Sequence, residues 1–320
     1  MDSSRSPARI GIAPGTDALR RAVLLAVAAL ATVITAFAGY YVWDRYVHRS
    51  DRSLVEIQTA SLTQAVHDNP HDPAARVALA DAHLSAREYD QAVALADGVL
   101  AAYPDETGAL LIAGVAHCFV DEAAKAVLHL ERFVSLRRAR PMARADATLE
   151  MAYYFLGESY LKLDEPEKGA AALEAALAIS PTDADALFQL GEAYQLLDQP
   201  LAALEQYERA VRLVPDFGQA YRGMAECYDS LDWDAHRVYA RAMQAYAAGK
   251  YEKAEAYLEQ ATAELPDFAP AYVGLALAYE KSGQLEKAKR AAQWALDLTP
   301  DDFVAQTVIA RIEQTMGAQD

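Results

Sequence analysis

His83, His117 and Cys118 are the residues in this chain whose types and spacing could do chemistry. Imidazole and thiolate bind borderline divalent metals, and a Cys–His pair is a common nucleophile–base couple. His83 and His117 stand 34 positions apart, and Cys118 follows His117 directly. A metal-dependent enzyme built on His83, His117 and Cys118 is one reading. The other is that both histidines fill the same packing position in two adjacent structural units, and the rest of the sequence favours it. His67 and His71 are four apart, but Pro70 between them breaks the helix that would align them. No H-E-x-x-H, P-loop, G-x-S-x-G or G-x-G-x-x-G run occurs. Cys118 and Cys227 lie in no C-x-x-C pattern, which removes thioredoxin-like, zinc-ribbon and c-type haem-attachment chemistry. The expectation is a chain that is not an enzyme, with no catalytic residue, no metal and no cofactor.

The 34-residue spacing is not confined to the histidines. Segments 73–106, 107–140, 150–183, 184–217, 235–268 and 269–302 align without gaps. One column is always small: Ala80, Gly114, Gly157, Gly191, Ala242 and Ala276. Three residues on come His83, His117, Tyr160, Tyr194, Ala245 and Tyr279. A third column is Ala92, Ala126, Gly169, Ala203, Ala254 and Ala288. A closing column is proline at Pro104, Pro181, Pro215, Pro266 and Pro300, with Arg138 the exception. Each unit reads as two short helices in a hairpin. Small residues let the helices approach, the aromatic fills the space between units, and proline ends the second helix because it cannot extend the hydrogen-bond ladder. One hairpin cannot bury its own apolar face, so the units must stack.

The spacing and these columns resemble the tetratricopeptide repeat. Residues 150–183, 184–217 and 269–302 match its small-x-x-Tyr, Ala and Pro pattern best, and the resemblance covers about three-quarters of the chain. The implied fold is an all-α solenoid of six full repeats. Two irregularities interrupt it. Residues 141–149 break the register between the second and third repeats, and residues 218–234 hold a first helix with no matching second one, a half-repeat. The expected order is repeats 1–2 at 73–140, an irregular connection at 141–149, repeats 3–4 plus the half-repeat at 150–234, repeats 5–6 at 235–302, and a cap helix and tail at 303–320. Cys118 and Cys227 fall about three repeats apart, roughly 25–30 Å at helix spacings of about 8–10 Å. A disulfide needs Cα atoms within about 7 Å, so no bridge between them is expected.

The N-terminal region obeys a different pattern. Residues 1–21 form a polar tail, and residues 22–43 carry no charge over a run ending in Tyr40, Tyr41 and Trp43. At about 1.5 Å per residue this run spans the roughly 30 Å bilayer core as one transmembrane helix, with an interfacial aromatic belt. Residues 44–72 then read as a juxtamembrane linker and leading helix. A cleaved signal peptide ending near Ala36-Phe37-Ala38 is the alternative. Arg5, Arg9, Arg20 and Arg21 precede the run and Arg45, Arg49 and Arg52 follow it, a balance that favours a cytoplasmic N-terminus and repeats outside the cytoplasm. The net charge is −17, and residues 1–52 contribute +3 of their own, so the repeats are strongly acidic. That excludes nucleic acid as a partner, since phosphates require a basic face.

The resemblance also implies where partners bind, because the first helix of each tetratricopeptide repeat faces the concave side. Its inner columns then fall on Tyr154, Glu158, Phe188, Glu192, Gln195, Arg222, Glu226, Asp229 and Tyr239, an acidic and aromatic groove suited to a protein segment with basic and apolar side chains. The lysine and asparagine pair with which some relatives clamp a C-terminal carboxylate is absent. A second candidate surface is the basic cluster Arg132, Arg137, Arg138, Arg140 and Arg144, which suits an acidic partner or anionic lipid. The leading expectation is a membrane-anchored scaffold or assembly factor for other proteins. A single anchor followed by such repeats is also similar to subunits of cytochrome c maturation machinery that hold apo-proteins.

Overall fold

The computed structural model describes residues 54–140 and 142–317. The expected membrane span at 22–43 and the tail before it lie outside the described residues. Among those described, no helix is long and apolar enough to cross a membrane. The described chain is all helical: α1 Leu54–Asp68, α2 Pro73–Ser85, α3 Tyr89–Leu100, α4 Thr107–Phe119, α5 Ala123–Arg137, a 3-10 turn Ala143–Ala145, α6 Ala147–Lys162, α7 Pro166–Ile179, α8 Ala184–Leu196, α9 Pro200–Leu213, α10 Gly218–Ser230, α11 Asp234–Ala247, α12 Tyr251–Glu264, α13 Ala269–Lys281, α14 Leu285–Leu298 and α15 Phe303–Gly317.

One turn type makes every hairpin. A residue in the left-handed region, φ between +56° and +75°, stands two positions before each second helix: Arg87, Asp121, Asp164, Asp198, Asp232, Gly249 and Gly283. Glycine and aspartate reach that region at least cost. The next residue then donates its N–H back to the last turn of the first helix. Those bonds are Glu88 to His83 (2.8 Å), Glu122 to His117 (2.9 Å), Glu165 to Tyr160 (2.9 Å), Gln199 to Tyr194 (2.9 Å), Trp233 to Tyr228 (2.8 Å), Lys250 to Ala245 (2.9 Å) and Gln284 to Tyr279 (2.8 Å). The acceptors are the aromatic column of the sequence, with Tyr228 as an added member. First helices begin differently. Asp72, Asp146, Asp183 and Asp302 each accept a hydrogen bond from a first-turn N–H, the ordinary aspartate N-cap.

The small columns sit where the helices cross. A methyl added at Gly114 would meet Leu130 at 2.5 Å, and one at Gly157 would meet Leu173 at 2.5 Å. Ala92, Ala126, Ala203, Ala254 and Ala288 are wholly buried. Tyr207 is clamped between Gly191 and Gly223, where added methyls would each lie 2.5 Å from its ring. The apolar core runs as two clusters, one from Ala80 to Ala172 and one from Ala170 to Ile312, so they meet at α7.

The structure corrects the half-repeat. Helix α10 does have a second helix, and that helix is α11. Asp232 lies 34 residues after Asp198 and Gly249 lies 34 before Gly283, so α11 is entered through one hairpin turn and left through another. It packs extensively on both α10 and α12. A single helix closes one repeat and opens the next, which shifts the phase of the array by half a period. The other irregularity is a 3-10 turn followed by an early start for α6. Asp146 caps that start, and Arg137 of the preceding helix grips it through Oδ2 at 2.6 and 3.1 Å.

Candidate functional site

First helices of successive hairpins touch one another directly, as α2 does α4, α4 does α6, α6 does α8, and α8 does α10, whereas second helices meet at most weakly. The first-helix layer is therefore the tighter, inner side of the solenoid. Its central members α6, α8 and α10 carry Tyr154 and Glu158, then Phe188, Glu192 and Gln195, then Arg222, Glu226 and Asp229.

These side chains interlock across repeats. Gln189 on α8 donates to the Tyr154 hydroxyl at 2.9 Å. Burial, and then the charge of Glu158, raises that phenol well above its usual range. Phe188 packs on Phe217 with centroids 5.2 Å apart and on Tyr207 at 5.8 Å. Glu158 pairs with Lys162 at 2.9 Å. Burial raises the Glu192 carboxyl, Arg222 opposes the rise, and Glu226 adds to it. Arg222 reaches Glu226 only at 3.9 Å, and both are exposed. Gln195 accepts from the Tyr207 hydroxyl and lies 3.5 Å from Glu226.

A feature absent from the sequence reading adjoins this strip. Glu150, Met151, Tyr154, Asp183 and Asp185 line an open hollow of about 440 Å³ between α6 and α8. Burial and a hydrogen bond with Asp183 push the Glu150 carboxyl up to about 7. Asp183 already accepts the N–H groups of Asp185 and Ala186 as N-cap of α8, so Glu150 is the partner that gives way to a proton. No local motif marks the pair, which lies 33 residues apart and is joined only by the stacking of two repeats.

Several expected groove residues lie elsewhere. Tyr239 is not on the open face. It is buried against Tyr221 (6.3 Å) and Phe268 (5.0 Å), because the phase shift turns the inner side of α11 into the core. With Tyr221, Met224, Met243 and Val273 it lines a largely apolar cavity of about 410 Å³ at the junction. Asp229 is held by Arg237 of α11. In the basic cluster, Arg132 makes two hydrogen bonds to Asp105, at 2.7 and 2.8 Å, and Arg137 is spent on Asp146. Burial would raise the Asp146 carboxyl, but hydrogen bonds from Thr148 and Arg137 bring it down to about 2. Arg138 and Arg140 are exposed and pair with no described carboxylate. Arg144 lies in the 3-10 turn, and its side chain is outside the described ones.

The trio His83, His117 and Cys118 does not converge. His83 Nδ1 sits 2.6 Å from Glu88. Cys118 lies 3.1 Å from the Ser159 hydroxyl, and burial raises its thiol to about 11 despite that contact. A buried thiol so raised is a poor nucleophile. Neighbouring positions on a helix point about 100° apart, so His117 and Cys118 face different helices. Both cysteines are free and buried.

Stacked hairpins with an inner layer of first helices define the class, an α-solenoid with an interaction face. Its units are tetratricopeptide repeats: profiles of that family match residues 59–113 and 245–312, 172–205, and 152–183. No curated protein matches the sequence. Similar solved structures include the MamA protein (24% identity over 60% of this chain and 94% of that one, TM-score 0.44). Another is a tetratricopeptide repeat protein from Parabacteroides merdae ATCC 43184 (14% identity, 86% and 98% coverage, TM-score 0.46).

Proposed function

We propose that the chain is a non-enzymatic scaffold that holds partner proteins along the inner face of α6, α8 and α10, and that residues 22–43 anchor it in a membrane with the repeats outside the cytoplasm. The observation that carries the binding role is the imbalance of charge on that face. Glu158, Asp183, Asp185, Glu192 and Glu226 stand against Lys162 and Arg222, with Tyr154 and Phe188 between them. Such a face suits an extended or helical segment with Lys or Arg and apolar anchors. Tethering to a membrane raises the effective concentration toward membrane-bound partners, so modest intrinsic affinity suffices.

Intact cells treated with a membrane-impermeant cross-linker test both halves. The expected result is a discrete adduct captured without permeabilisation and lost in the combined Glu158→Gln, Glu192→Gln, Glu226→Gln variant. Adducts unchanged in that variant would remove the groove from the account. Adducts that form only after permeabilisation would reverse the orientation.

A further inference from the structure

Three side chains from three successive helices converge between the first two repeats. They are Asp97 on α3, His117 on α4 and His129 on α5, and one ligand atom from each lies within 4.8 Å of the others. His117 is wholly buried, yet both its ring nitrogens lack an aligned hydrogen-bond partner, as does Asp97 Oδ1. Unpartnered buried polar atoms are costly in a protein interior, so His117 Nε2 and Asp97 Oδ1, both in the space between these side chains, call for a common partner.

The distances say what that partner is. His117 Nε2 lies 3.4 Å from Asp97 Oδ2, and His129 Nε2 lies 3.4 Å from Asp97 Oδ1. Both are longer than an N–H···O hydrogen bond, which spans about 2.7–3.2 Å. Each matches the spacing of neighbouring ligands about a metal, about 3.4 Å for bonds of about 2.0–2.2 Å, and Asp97 turns one oxygen toward each imidazole. The imidazole rings are near-parallel with centroids 5.5 Å apart, and His129 stands at the rim. On its other side His117 Nδ1 lies 2.7 Å from Glu122 Oε2, although off the line of the N–H. That places the outer carboxylate which orients a metal-bound imidazole and leaves Nε2 free to ligate. Lys125 is held by Glu122 at 3.0 Å and so does not compete for Asp97.

We infer that Asp97, His117 and His129 form a binding site for a divalent cation of the zinc type, with Glu122 as the supporting carboxylate. Asp97 is partly open to solvent, which provides an entry path and a position for a water as fourth ligand. The site ties α3 of the first repeat to α4 and α5 of the second, so the cation braces the start of the solenoid. Nitrogen and carboxylate donors without thiolate suit zinc and its divalent neighbours over calcium or magnesium.

The test uses the full-length, tag-free chain in detergent, stripped with a chelator and titrated with Zn²⁺ against a chromophoric competitor. One equivalent is expected to bind and to raise the melting temperature. His129→Ala and Asp97→Asn, both outside the closed core, are each expected to weaken binding at least tenfold and abolish the thermal shift, with helical content of the metal-free protein unchanged. His83→Ala is expected to bind as the parent does. Absence of stoichiometric binding would overturn the site, as would unchanged affinity in both His129→Ala and Asp97→Asn.

Discussion

At the scale of single residues, the inner face is defined by carboxylates that the fold forces into company. Glu150 is the sharpest case. Its carboxyl is raised from 4.5 to about 7 by burial and by Asp183, so the folded state binds a proton that the unfolded state releases across that window. Native stability at this site is therefore full at low pH and lost as pH rises through about 7. Glu150→Gln removes the ionisation while keeping the shape. Thermal melts are expected to show the variant gaining on the parent between about pH 5 and about pH 8, and levelling above that window. A difference that stays flat with pH would contradict the pairing. None of this was legible in the sequence, where Glu150 and Asp183 are ordinary helix-start acids. The same holds for His129. It shares no column with His83 or His117, and only the stacking of α3, α4 and α5 brings it to Asp97. By contrast the placement of Tyr154, Phe188 and Glu192 on first helices was legible, because the 34-residue period fixes which helix of a hairpin a position falls on.

At the scale of elements, seven turns of one type explain the register and its break. The small, aromatic and proline columns made the regular hairpins readable from sequence alone. The shared helix α11 was not, because no proline closes it and no gap announces it. Two signals were nonetheless present: Tyr228 in the aromatic column and Asp232 in the left-handed column, one period after Tyr194 and Asp198. If both ends of α11 are hairpin turns, the left-handed residues there behave alike. A side chain added at Gly249 has no atom within 4 Å, so any cost of Gly249→Ala is conformational rather than steric. We expect that variant to lose roughly 1–2 kcal/mol in denaturant unfolding. Asp232→Gly, which relieves the same conformation, is expected to be near neutral. An unshifted midpoint for Gly249→Ala would contradict the assignment of this connection as a hairpin turn.

At the scale of the molecule, the chain combines an acidic solenoid, a half-period offset and an N-terminal apolar segment with a separate logic. The offset buries Tyr239 and removes it from the inner face, so the strip of first helices proposed to bind partners ends at α10. Solenoid stability is a sum of repeats and their interfaces, so the proposed cation at Asp97, His117 and His129 braces the leading interface. Repeat folds serve many processes, and the partner's identity follows from capture rather than from the fold. The most direct measurement places a photo-cross-linking residue at Arg222, exposed on the inner face, and in a second protein at Trp294, exposed on the second-helix layer. Irradiation in membranes is expected to give a discrete protein adduct from position 222 and none from position 294. Adducts from position 294 alone would contradict the inner face as the binding surface.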